Sequence, residues 1–251
     1  TVAMPEFAGR QFFDDIAYAS FGRWRPSDFL ASLSPVKVTT LGSCSAFSTN
    51  DGKESPSNPA SIKPEYFNAG PGLNLRGPVG PRQITRQPDG AYFGVLSTQQ
   101  APNYLKAGRY TVGASGSTGF APFEITIEIP DDLRWTNETQ INEVQRNRDL
   151  RVTWDGAGRS GEHVEIYGFS FSQGGKTGAG FSCGATVSAG QFVVPSDILS
   201  VLPPSGQSQM GFPDGILGIS FVSDPQRFSH PNLDVAMKGY SLSRERYLMY
   251  R

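Results

Sequence analysis

Histidine is almost missing from this chain, and so is cysteine. There are two of each, His163 and His230, Cys44 and Cys183. Two cysteines are too few for a disulfide scaffold or a cysteine zinc site. Two histidines without an accompanying motif argue against metal or triad chemistry. No GxSxG turn is present, so a serine nucleophile would have to be assembled from loops with no local signature. No run of 18 apolar residues occurs, which excludes a predicted transmembrane helix. Net charge is also lacking: 22 basic against 23 acidic residues leave -1, which argues against nucleic acid or an anionic membrane as partner. The opening TVAMPEFAGR lacks a basic region followed by an apolar core, and a signal peptide already removed would leave such a start.

Glycine and proline are plentiful instead, 29 and 19 residues, and they punctuate many short alternating segments. VKVTTL, GLNLRG, RQITRQ, AYFGVL and GRYTVGAS read as strands. In FEITIEI, Phe123, Ile125, Ile127 and Ile129 face one way and Glu124, Thr126 and Glu128 the other, a half-buried strand with one wet face. A break near Pro130 closes a first module. The pattern restarts at DLRVTWDG, with Leu150, Val152 and Trp154 on one side, and runs through EHVEIYGFSF, GAGFSCGAT, GQFVVP and GILGISFVS. SDILSVLP reads as one short helical turn capped by Ser196 or Asp197, with Ile198, Leu199 and Leu202 inward. Strands at this spacing predict an all-β fold of two immunoglobulin-like β-sandwich modules, residues 35–131 and 132–251.

Residues 1–34 differ in composition and are expected to form an N-terminal extension. Phe12, Phe13 and Ile16 fall at helical spacing, although Ile16 and Tyr18 fit a period of two nearly as well. A short helix is expected from Pro26 to Leu33. The aromatic content makes Phe12, Phe13, Ile16, Phe21 and Trp24 a candidate assembly segment, docking on the chain's own modules or on a neighbouring copy.

The remaining motifs carry little chemistry. GGKT at Gly174–Thr177 lacks the first glycine of a phosphate loop, has Ser170 there, and has no following helix. DGAGRSGE places Ala157 and Arg159 where a calcium loop needs oxygen ligands. His163 and Glu165 share a strand face, but two ligands do not make a metal site. His230 is placed in a loop. No catalytic, cofactor-binding or metal-ligating residue is assigned. Of the three tryptophans, Trp154 belongs to a core pattern and Trp135 to the module boundary, leaving Trp24 as the candidate for ligand stacking, with polysaccharide as its partner. Asn137 in NET fits a glycan-acceptor pattern. Cys44 and Cys183, one in each half, would staple the halves if bonded; otherwise they are two buried, inert thiols.

Five phrases together carry a resemblance: FNAGPGLNLRGPVGPRQI, PNYLKAGRYTVGASGSTGFAPFEITIEIP, LRWTNETQINEVQRNRDLRVTWDGAG, GAGFSCGATVSAGQFVVPSDILSVLP and DPQRFSHPNLDVA. Over roughly residues 36–240 the chain resembles secreted β-sandwich proteins of acidobacterial type, a paralogous family without an assigned activity. The resemblance implies export to the cell surface or medium, an immunoglobulin-like architecture and, through the oxidising compartment, a Cys44–Cys183 disulfide. It implies no active-site residues. The resulting expectation is a non-catalytic extracellular structural protein. It would form filaments with copies of itself by exchanging a strand or the extension across open sheet edges. The alternative is a module that binds carbohydrate or another surface ligand.

Overall fold

The computed structural model describes residues 2–7, 10–23, 40–50, 64–130, 134–155, 161–175, 177–207 and 211–251. These residues form an all-β protein, with one short α-helix among them. The chain separates into two compact units that interleave along the sequence. Unit 1 takes residues 1–36, 57–132 and 225–240, and unit 2 takes 37–56, 133–224 and 241–251. The passage at 132/133 falls beside the break at Pro130. Residues 37–56 and 225–240 run against the consecutive order that local patterns suggest: β5 (Cys44–Asn50) pairs with a strand beyond residue 170, and the 225–240 segment meets Ala121 through the side chains of His230 and Asn232.

Unit 1 is built on a six-stranded antiparallel sheet. Its strands are β3 (Ile16–Ala19), β7 (Gly72–Gly77), β8 (Gly80–Arg86), β9 (Tyr92–Val95), β10 (Gly108–Ala114) and β11 (Phe123–Ile129), in the order β11-β10-β7-β8-β9-β3. The tight turn at Pro88–Gly90 joins β8 to β9, closed by Gly90 N–H donating to Gln87 O at 2.9 Å. Three two-stranded ladders complete the unit: β1 (Val2–Phe7) with β2 (Arg10–Asp14), β4 (Gly22–Arg23) with β6 (Glu65–Tyr66), and β19 (Gln226–His230) with β20 (Leu233–Lys238). The stretch containing Phe12, Phe13 and Ile16 is therefore extended, not helical. Ile16 and Tyr18 obey the period of two, both exposed on the strand that ends the main sheet. The expected helix from Pro26 and the strand over VKVTTL fall largely outside the described residues.

Asp15 fixes β3 to the body of unit 1. Its carboxylate is buried, and Oδ2 accepts from the backbone N–H of Tyr104 at 2.6 Å and Leu105 at 2.8 Å. Its own N–H donates to Ser97 Oγ at 2.7 Å. Leu73, Ile84, Leu96 and the rings of Tyr92, Tyr104 and Tyr110 fill the core beside it.

Unit 2 holds two sheets around one apolar core. The larger has the order β21-β18-β15-β16-β5, from β5 (Cys44–Asn50), β15 (Glu162–Phe171), β16 (Thr177–Thr186), β18 (Gly215–Ser223) and β21 (Ser241–Tyr247). The smaller joins β12 (Arg134–Trp135), β14 (Leu150–Asp155) and β17 (Gln191–Val194). A parallel pair, β13 (Glu143–Val144) with β22 (Met249–Tyr250), completes the described ladders of this unit. Val152, Val164, Ile166, Leu217 and Ile219 are fully buried in the shared core. Each such side chain contributes about 1.5–3 kcal/mol by leaving water.

Trp135 pairs in register with Trp154 inside this core, so Trp135 is a core residue of unit 2. The helix α1 (Ser196–Ser200) places Leu199 in the core as expected. Its N-terminal cap differs from the expectation. Neither Ser196 nor Asp197 caps it through a side chain; instead Asp149 Oδ1 accepts from Ser196 N–H at 2.8 Å.

Candidate functional site

The described residues of unit 1 enclose a groove of about 810 Å³ between the β4–β6 ladder and the β19–β20 hairpin. Each wall has a local cause. Phe67 N–H donates to Phe21 O at 2.8 Å, which ties the segment after β6 to the segment before β4. Phe21 turns inward, 8% exposed, and its ring meets Tyr92, Phe120 and Phe123 at centroid distances of 5.8, 5.3 and 5.4 Å. Tyr66 packs over the turn at Gly90, where φ is +100° and a Cβ would stand 2.7 Å from Tyr66 Cβ. Glycine there meets both demands, the positive φ and the close approach.

The opposite wall is held by a clasp. The His230 ring stacks on Phe120, centroids 4.3 Å apart, and lies edge-on to Phe123. Its Nδ1 accepts from Asn232 N–H at 3.2 Å, which leaves Nε2 to donate to Ala121 O at 3.0 Å. Asn232 Oδ1 accepts in turn from Ala121 N–H at 2.8 Å. Phe228 packs on Phe123 at 6.0 Å, and Lys238 Nζ donates to Thr126 O. These contacts seat β20 so that Val235 and Met237 face outward, 55% and 58% exposed, along the groove.

The lining joins apolar and aromatic groups with a few polar ones. Tyr66, Phe67, Phe228 and Met237 supply the apolar surface, and Arg23, Asn232 and Asp234 the polar groups. The Arg23 guanidinium sits over the Phe67 ring, 5.7 Å from its centroid. Burial pushes the Tyr66 phenol above its usual pKa, and the neighbouring Tyr18 phenol and Asp89 carboxylate raise it further. Arg23 and Asp234 bring opposite charges to the groove. The arrangement suits an uncharged ligand with an apolar face and several hydroxyl groups.

The residues singled out from the sequence are distributed as follows. Ile16 lies on β3 and Phe21 in the groove wall; Phe12 and Phe13 belong to β2. Trp24 follows Arg23 and lies outside the described residues. Cys44 and Cys183 stand opposite each other in the β5–β16 ladder and form a disulfide within unit 2. The bond therefore staples β5 to β16 within unit 2, not one sequence half to the other. His163 is on the β15 surface, with Nδ1 3.3 Å from Asp224 Oδ1. His230 is at the end of a strand, both ring nitrogens engaged. The Asn137 amide is also engaged: Nδ2 donates to Arg151 O at 2.8 Å, and Oδ1 accepts from Trp135 Nε1 and Thr153 N–H. Among the described residues no group of three His, Cys, Asp or Glu side chains gathers in metal-binding geometry.

Sequence reasoning missed Arg23, Tyr66, Phe67, Phe228 and Met237 as one site, since they come from three separate stretches of chain. The only local signal is aromatic residues at the ends of polar loops, as in PEYF and PQRF. No protein-family model matches the chain, and no curated protein matches it.

Proposed function

We propose that this protein is a non-catalytic, extracellular or cell-surface module that binds carbohydrate or a chemically similar surface ligand in the groove of unit 1. The observation that carries the reading is the lining: Tyr66, Phe67 and Phe228 beside Arg23, Asn232 and Asp234 in one open groove. Ring faces pack against the C–H faces of a sugar while the polar groups meet its hydroxyls. The two ring nitrogens of His230 are taken up by the backbone of the groove wall, which supports a structural role for that residue. The Cys44–Cys183 disulfide supports an oxidising location. The immunoglobulin-like reading of the modules is proposed alongside, supported in unit 2 by two sheets sharing one core.

Depletion assays on insoluble cellulose, chitin, xylan and starch test the function. Retention on at least one, reduced at least tenfold by Phe67→Ala, is expected. Equal retention of the wild type and Phe67→Ala on every polymer would remove the groove from consideration.

A second reading, self-assembly, is favoured by one observation. β3 ends its sheet and carries Ile16 and Tyr18 exposed at 52% and 63%. An uncharged edge that no described strand covers accepts a strand from another chain. Sedimentation at rising concentration separates the two readings: a monomer throughout supports ligand binding, and an open-ended series of oligomers supports assembly.

A further inference from the structure

We infer that the groove continues onto the exposed face of β3 and β9, and that this continuous surface binds one linear, uncharged polysaccharide of flat, β-linked pyranose rings. The inference rests on the groove reading above and names its ligand class.

The first support is register. Ile16 stands opposite Val95 and Tyr18 opposite Phe93, so all four side chains share one face. They are 52%, 53%, 63% and 40% exposed. Single exposed apolar residues are ordinary, but two adjoining cross-strand pairs make a patch.

The second support is continuity. Ser20 lines the groove and follows Tyr18 by two positions. That step spans about 7 Å of extended chain. Tyr18 therefore lies on the β3–β9 face two residues before the groove wall begins at Ser20.

The third support is chemistry. The four side chains of the face carry no ionised group, and the groove lining carries one cation and one anion, Arg23 and Asp234. A charged polymer finds no complementary excess here. Pyranose rings with equatorial hydroxyls present apolar C–H faces to rings such as Tyr18 and Phe93. Alternate peptide groups at the open edge of β3, which no described strand pairs, offer donors and acceptors to the hydroxyls. Four partly exposed side chains amount to only a few hundred Å², on the order of the largest patch on a typical monomer. A stable protein interface needs about 800 Å² from each partner. The face by itself is too small for a stable interface between two copies, and it suits a sugar chain.

The test is calorimetric titration of the full, unreduced chain with cellobiose and with cellohexaose. Cellohexaose is expected to bind at least tenfold more tightly. Tyr18→Ala and Phe93→Ala, both at exposed positions, should bring cellohexaose close to the cellobiose value. Phe67→Ala should weaken both. Equal affinity for the two sugars, or tight cellohexaose binding untouched by Tyr18→Ala, would overturn the extended surface and leave the groove reading standing. Absence of binding to either sugar would overturn the inference, and the groove reading would then stand or fall on the depletion assays. A dimer in sedimentation that Tyr18→Ala dissociates would assign the face to a second copy and overturn the inference.

Discussion

The imidazole of His230 lies flat on the ring of Phe120, and each of its nitrogens meets a backbone group. This stack joins the β19–β20 hairpin to the turn before β11, although more than a hundred residues separate them in sequence. His230→Ala removes the stack and leaves Ala121 O and Asn232 N–H without these partners. The expected loss is about 2–4 kcal/mol of unit 1 stability. His230→Phe keeps a ring for stacking and should lose less. Urea unfolding of the two variants checks the order; equal losses would mean that the stack contributes nothing.

Asp15 makes β3 part of unit 1. Asp15→Ala strands the N–H groups of Tyr104 and Leu105 in a buried setting, at an expected cost of about 3 kcal/mol. The same geometry separates two truncations. β1 and β2 pair only with each other among the described strands, so removing residues 1–14 should leave the six-stranded sheet intact. Removing residues 1–19 deletes Asp15 and β3 and should lower the thermal midpoint sharply. Identical midpoints for both truncations would contradict the anchoring role.

The Cys44–Cys183 bond closes a loop across a sequence separation of 139. The chain-entropy model puts the stabilisation from a loop of that length at about 5 kcal/mol. Cys44→Ala with Cys183→Ala should therefore lower unfolding stability by about 2–5 kcal/mol, the range for native disulfides. Denaturant titration of the double variant against the unreduced wild type measures it. A difference below about 1 kcal/mol would indicate that β5 is held by its ladder alone.

Tyr250 gives a pH dependence with a definite sign. The side chain is fully buried, its hydroxyl donates to Ile216 O at 2.8 Å, and burial pushes the phenol far above its usual pKa. The folded protein thus holds this proton more tightly than the unfolded chain, whose tyrosines titrate near about 10. The contribution is fully present below that pH and is lost as pH rises above it, by about 1.4 kcal/mol per unit. Tyr250→Phe should flatten the alkaline slope by one proton while losing about 1 kcal/mol near neutrality. Denaturant unfolding between pH 8 and 11 follows both effects. An unchanged slope would show that the phenol ionises equally in both states.

Local patterns carried much of the fold. The alternation in Leu150–Asp155 buries Val152 and Trp154, that in Phe123–Ile129 leaves Phe123, Ile125 and Ile127 half-buried and Ile129 buried, and Leu199 and Leu202 are inward as their spacing requires. The stretch around Phe12, Phe13 and Ile16 fitted two periods, and pairing with β9 decided Ile16 in favour of the strand. Interleaving of the units was hidden because β5 finds β16, and the β19–β20 hairpin finds Ala121, through long-range contacts that leave no period in the sequence. The groove was hidden for the same reason. Phe21 was singled out, but Phe67 and Phe228 gain their meaning only when three distant segments meet.

Hydrogen exchange with and without saturating cellohexaose tests the central claim most directly. Ligand binding in the groove predicts slowed exchange in residues 20–23, 65–67 and 233–237, with unit 2 unchanged. Protection confined to the strands of unit 2, with those three segments unaltered, would contradict the account.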